Sequence, residues 1–88
     1  MKLVFAEQAW EDYLHWQTVD RKLLKRIDAL IKETAPSRFA GPGKPEALKH
    51  ALAGYWSRRI TDEHRFVYKI DGDSLLIAQL RYHYRCEQ

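Results

Sequence analysis

One carboxylate, two histidines and several cations in the second half of this chain have the side-chain types needed to break an RNA backbone without a metal. In that chemistry a ribose 2′-hydroxyl attacks the adjacent phosphate. A base must take the hydroxyl proton, an acid must protonate the departing 5′-oxygen, and cations must hold the crowded phosphate. Either Glu46 or His50 has the type for the base, His83 for the acid, and Arg65, Arg59 or Lys49 for the cations. Other chemistries are less well supplied. The histidines stand at least fourteen positions apart, no Cys-x-x-Cys or His-x-x-x-His pair occurs, and Cys86 is the single cysteine, so no metal site is expected. No nucleophile-elbow motif points to a Ser-His-Asp hydrolase. Cys86 near the chain end reads as an incidental surface thiol.

These residues have to be positioned by secondary structure. Lys2 to Phe5 is a short β-prone run. Ala6 to about Gln17 reads as a helix on the spacing of Trp10, Tyr13, Leu14 and Gln17, with its acidic residues early, where the helix dipole favours them. Asp20 is the expected cap of a second helix. Its apolar stripe runs Leu23, Leu24, Ile27, Leu30, Ile31, and its Lys22, Lys25, Arg26 and Lys32 read as a solvated face. Pro36 ends that helix, and Ser37 to Pro45 is a glycine- and proline-rich loop. Gly41-Pro42-Gly43-Lys44 lacks the glycine spacing and the preceding strand of a phosphate-cradling loop. Glu46 to Leu52 is expected to form one or two helical turns. Tyr55 to Thr61, His64 to Ile70 and Ser74 to Tyr84 are strand candidates joined by short polar links, the second containing Asp71-Gly72. The expected architecture is α+β: a single domain over residues 1–88, with an N-terminal strand and a helical hairpin packed on one face of an antiparallel sheet.

Strand alternation sorts the side chains. Ser57 and Arg59 oppose Trp56, Arg58 and Ile60; Arg65, Val67 and Lys69 oppose Phe66, Tyr68 and Ile70. The simplest assignment gathers Arg59, Arg65, Arg81 and His83 on an open face and turns Phe66, Tyr68, Ile70, Leu76, Ala78 and Leu80 towards the helices. Charge follows the same division. The formal net charge is +3; residues 1–33 carry six basic and six acidic side chains, and residues 34–88 carry nine basic and six acidic. An anionic partner for the second part is implied, with guanidinium groups suited to phosphate and aromatic rings suited to unpaired bases. With 88 residues, 45% hydrophobic and 31% charged, the composition is that of a globular chain rather than a disordered one. No apolar run is long enough for a bilayer or a secretion signal, and a lone cysteine suits a reducing cytoplasm.

Much longer stretches than these motifs carry a resemblance. Gly43-Lys44-Pro45-Glu46-Ala47-Leu48-Lys49-His50, Trp56-Ser57-Arg58-Arg59-Ile60-Thr61, Glu63-His64-Arg65, Val67-Tyr68, Asp73-Ser74-Leu75-Leu76-Ile77-Ala78 and Arg81-Tyr82-His83-Tyr84 resemble the YoeB family of bacterial toxins. So do Met1-Lys2-Leu3, Trp10, Asp12-Tyr13-Leu14 and Trp16-Gln17, and the likeness runs through residues 1–84 without a gap.

The resemblance implies a RelE-like fold related to microbial ribonucleases, in a toxin of a type II toxin–antitoxin system. It implies an endoribonuclease that enters the A site of the 70S ribosome and cuts the messenger RNA codon there, with no cofactor and no metal. It implies Glu46 as general base, His83 as general acid, Arg65 as the phosphate cation and Tyr84 as an orienting group, with Lys49, Arg59 and Lys44 contacting RNA. The partners implied are a YefM-type antitoxin, ribosome and messenger RNA, operator DNA only through the antitoxin complex, and a possible homodimer, with no membrane. Two alternatives share the fold: a gyrase inhibitor of the ParE kind, which lacks the acid–base set, and an antitoxin-bound corepressor that has lost its toxicity. The chain departs from the family in continuing past Tyr84 with Arg85-Cys86-Glu87-Gln88, which displaces any terminal carboxylate that contributes in relatives ending there, and in its Lys69-Ile70-Asp71-Gly72 link.

Overall fold

The computed structural model describes residues 1–83. Strand β1 (Lys2–Phe5) leads into helices α1 (Glu7–Val19) and α2 (Arg21–Thr34). A long loop follows, then the edge strand β2 (Glu46–Ala47), a 3-10 turn (His50–Leu52), and strands β3 (Trp56–Arg59), β4 (Arg65–Asp71) and β5 (Ser74–Gln79). Asp20 caps α2 as expected, its carboxylate accepting the Leu23 amide at 3.1 Å. The sheet order is β1-β5-β4-β3-β2. β2 to β5 are antiparallel neighbours, but β1 lies parallel to β5, Lys2 opposite Ser74, so the sheet is mixed rather than purely antiparallel.

The α+β architecture is as expected, and four local readings change. Glu46–Ala47 is extended, not helical, because it pairs with β3: Glu46 faces Ser57 and Ala47 faces Trp56. The inward side of α1 is Ala9, Asp12 and Trp16, while Trp10 and Leu14 are exposed and Trp10 stacks on Tyr13 at 5.9 Å. The last strand stops at Gln79 instead of running to Tyr84. Finally, β5 carries a bulge at Ala78: Val67 pairs with Gln79 but Tyr68 pairs with Ile77. That extra residue turns Leu75 and Ile77, not Leu76 and Ala78, into the core, and still lets Leu80 point inward.

Against that face lie Ile27, Leu30 and Ile31 of α2 and Trp16 of α1, closing a core around Phe66, Tyr68, Leu75 and Ile77. Two bonds tie α1 to the end of β5. Trp16 Nε1 donates to the Leu80 carbonyl at 2.9 Å, and the buried carboxylate of Asp12 accepts the Leu80 amide at 3.0 Å. Arg26 does more than solvate a helix face: its guanidinium donates to the carbonyls of Ile60 at 2.7 Å and Arg59 at 3.1 Å, pinning α2 to the end of β3.

Candidate active site

On the face away from the helices, one row of side chains crosses the sheet: Glu46 of β2, Ser57 of β3, Val67 of β4 and Gln79 of β5. One pair further on, Arg59 stands directly opposite Arg65. Like charges at opposed positions weaken a sheet, so this pair is costly for folding unless an anion lies between or near them. With strands ~4.8 Å apart and a rise of ~3.4 Å per residue, the Cα atoms of Glu46 and Arg65 are about 12 Å apart. Lys44, Glu46, Ser57, Arg59, Arg65 and His83 line a cleft of about 370 Å³ here.

Each wall of the cleft is held by its backbone. The loop before β2 wraps the side chain of Arg58, which is fully buried and sits in the core-facing row with Trp56. Its guanidinium donates to the carbonyls of Pro42 at 2.9 Å and Ala40 at 2.9 Å, to the Ser37 carbonyl, and to the Tyr68 hydroxyl at 3.3 Å. The Tyr68 hydroxyl donates in turn to the Arg38 carbonyl at 2.6 Å. Burial raises the Tyr68 phenol above its usual range, and the Arg58 charge works against that rise. Gly43 closes the wrap with φ +85°, and its carbonyl accepts the Arg59 amide at 2.6 Å. Lys44 and Glu46 emerge directly after it. The Gly41-Pro42-Gly43 segment is thus a collar for a buried arginine.

On the other wall, Arg65 Nη1 donates to the carbonyls of Thr61 (2.6 Å), Asp62 (3.0 Å) and His64 (3.1 Å), folding the β3–β4 turn around its own guanidinium. Arg59 lies 3.9 Å from the exposed carboxylate of Asp62. After Gln79 the chain leaves the sheet in a tight bend. The Gln79 amide group donates to the carbonyls of Arg81 (2.9 Å) and His83, and Tyr82 adopts the left-handed conformation, φ +64°. For a bulky residue that conformation costs on the order of 1–2 kcal/mol. The bend delivers His83 to the cleft, where Nε2 lies 3.2 Å from the Asp62 carbonyl. A carbonyl can only accept, so the contact is a hydrogen bond in the tautomer that carries its proton on Nε2.

Residues 5–84 match the sequence profile of the "YoeB-like toxin of bacterial type II toxin-antitoxin system" family. The chain belongs to the YoeB family. It is 58% identical over 84 residues to the toxin YoeB of Escherichia coli K12, a match covering 96% of this chain and all of that one. Among solved structures, the YoeB/ParE toxin from Agrobacterium tumefaciens superposes with a TM-score of 0.93 at 50% identity, covering 96% of this chain and 100% of that one. YoeB of Staphylococcus aureus, 45% identical over 96% of this chain and 98% of that one, is solved as a dimer (TM-score 0.89) and in a heterotetrameric complex with YefM (TM-score 0.88).

Of the site residues expected for this YoeB-family chain, the cleft brings together Glu46, Arg59, Arg65, His83 and Lys44. Lys49 is exposed at the start of the 3-10 turn, beyond the cleft lining. His50, the other candidate base, sits in that turn with φ +56° and does not line the cleft. Tyr84 lies outside the described residues. Arg81 does not join the open-face cations. Beyond the bulge and bend its guanidinium lies over the rings of Trp16 (5.9 Å) and Tyr82 (4.6 Å), on the α1 side. Sequence reasoning passed over two residues: Ser57, which shares the Glu46 row, and Arg58, whose signal was a charge on the same strand face as the apolar Trp56 and Ile60.

Proposed function

We propose that this YoeB-family toxin is a ribosome-dependent messenger-RNA endoribonuclease that cuts A-site codons by acid–base attack of the 2′-hydroxyl. The observation that supports this reading is the cleft itself, in which one carboxylate, one imidazole and three cations converge on space for a phosphodiester. Glu46 takes the 2′-hydroxyl proton, the O2′–P bond forms as the P–O5′ bond breaks, and His83 gives a proton to O5′. The products are a 2′,3′-cyclic phosphate and a free 5′-hydroxyl. Arg65, aided by Arg59 and Lys44, holds the phosphate oxygens whose charge is most crowded midway. Lys49 contacts RNA outside the cleft, and Tyr84 orients the substrate. The joint presence of Glu46, Arg65 and His83 favours this over a gyrase-binding or corepressor role on the same fold.

The protein works in the cytoplasm, where a YefM-type antitoxin neutralises it. The complexes and dimer of the Staphylococcus aureus relative support that partner and a homodimer. Operator DNA is contacted only through the antitoxin complex. Among the described residues no helix is long and apolar enough to cross a membrane.

Cleavage mapping in a translating 70S system tests the reading. Wild type cuts at A-site codons; Glu46→Ala and His83→Ala each lose about 10²–10⁴-fold, with circular dichroism and antitoxin binding retained. No cutting by wild type overturns the ribonuclease reading in favour of a binder, and unchanged cutting by His83→Ala removes that residue from the acid role.

A further inference from the structure

The bend that carries His83 is docked on the β3–β4 turn by two backbone-borne bonds. The Arg65 amide donates to the Tyr82 carbonyl at 2.8 Å, and the Tyr82 amide donates to Nδ1 of His64 at 2.7 Å. The second is the one that a side chain controls. His64 is itself fixed: its amide donates to Thr61 Oγ1 at 3.1 Å, and its carbonyl accepts the Ile60 amide at 3.0 Å and the Thr61 amide at 3.2 Å. Its ring meets Trp16 edge-on at 4.9 Å and Tyr82 at 5.8 Å. Tyr82 holds a backbone conformation that a bulky residue avoids when left to itself, so a partner for its amide is needed to keep it there.

We propose that His64 is a positioning residue for His83: its Nδ1 lone pair holds the Tyr82 amide, and through it the 81–83 bend, where the His83 imidazole enters the cleft. The inference rests on the ribonuclease reading of that cleft. Protonated, Nδ1 would carry a hydrogen pointed at the Tyr82 N–H, and the bond would become a repulsion. The surroundings keep the ring neutral. Burial against Trp16 lowers its pKa below the usual 6.5, as do the charges of Arg81 after β5 and His15 on α1; Glu63 in the β3–β4 link and Asp12 on α1 oppose them without reversing the sign. The seat of His83 is therefore intact at neutral pH and is lost as pH falls through the lowered pKa of His64, below 6.5.

The test uses the full chain with His64→Leu, which removes the acceptor, and His64→Asn, whose side-chain oxygen can stand near Nδ1 but does not titrate. In the free protein, the 15N-resolved Tyr82 amide is expected to shift below pH 6.5 in wild type and to stay flat in His64→Asn. On translating ribosomes, His64→Leu is expected to cut about 10- to 100-fold more slowly at saturation, with little change in KM. His64→Asn is expected to recover most of that rate and to lose less than wild type as pH drops. Wild-type cutting by His64→Leu, equal loss in Leu and Asn variants that both remain folded, or a Tyr82 amide indifferent to pH overturns the proposal. If wild type does not cut at all, the ribonuclease reading falls instead, and the Tyr82 amide alone decides whether His64 holds the bend.

Discussion

Replacing Arg58 by methionine isolates what the buried guanidinium does. Methionine keeps most of the apolar stem but removes the donors to the Ser37, Ala40 and Pro42 carbonyls and to the Tyr68 hydroxyl. A buried acceptor left unpaired costs ~1–3 kcal/mol. Residues 38–42 are exposed enough for water to reach their carbonyls once the loop loosens, so the low end applies, about 1 kcal/mol for each of three carbonyls. Losing the guanidinium over the Tyr68 ring, 5.7 Å from its centroid, adds roughly 0.5–1 kcal/mol. The sum is about 3–4 kcal/mol, against a total of ~5–13 kcal/mol for a chain this size. At ~4–8 °C per kcal/mol for a small domain, Tm falls by about 12–32 °C. Denaturant titration followed by circular dichroism measures the loss, and amide exchange at Arg59, whose N–H bonds to Gly43, reports whether the loop loosens. A change within about 0.5 kcal/mol would refute the reasoning; it would mean that burying the charge costs as much as its carbonyl partners return.

Two smaller perturbations follow. Gly43→Ala puts a Cβ 3.0 Å from Arg58 Cβ, 3.1 Å from Leu30 Cδ2 and 3.3 Å from the Arg59 carbonyl, at a φ of +85°; about 1–3 kcal/mol is expected to be lost in denaturant unfolding, with cleft activity reduced because Lys44 is displaced. Asp12→Ala strands the buried Leu80 amide and is expected to cost about 1.5–3 kcal/mol in the same measurement, whereas the exposed Glu11→Ala is expected to stay within about 0.5 kcal/mol.

The elements with strong periodicity were legible in the sequence. The α2 stripe Ile27, Leu30, Ile31 is buried, the Asp20 cap forms, and β3 and β4 alternate as read, which placed Arg59 and Arg65 on one face. The failures have physical causes. The two residues of β2 carry no period to detect and are extended only because β3 offers them partners. The Ala78 bulge leaves no local mark, since Leu75, Leu76, Ile77 and Ala78 are apolar whichever way they face; only register with Tyr68 and Val67 decides. The parallel pairing of β1 is equally non-local. Arg59, Arg65, Glu46 and His83 of the cleft were nameable as types, while Lys44 came only with the family resemblance; that His83 arrives through a left-handed bend rather than along a strand depends on Gln79 and His64 contacts across the fold.

The place of β1 also sets an order of events. Lys2 is made before the rest of the sheet, yet its partner Ser74 lies seventy-two residues later, and pairings between distant parts of a chain form slowly. Until β5 has been synthesised, β1 has no neighbour in the sheet, and α1 cannot reach the Leu80 backbone that Asp12 and Trp16 hold. His83 comes later still. A nascent copy therefore has no assembled cleft until residue 83 has been made and β1, β4 and β5 have paired.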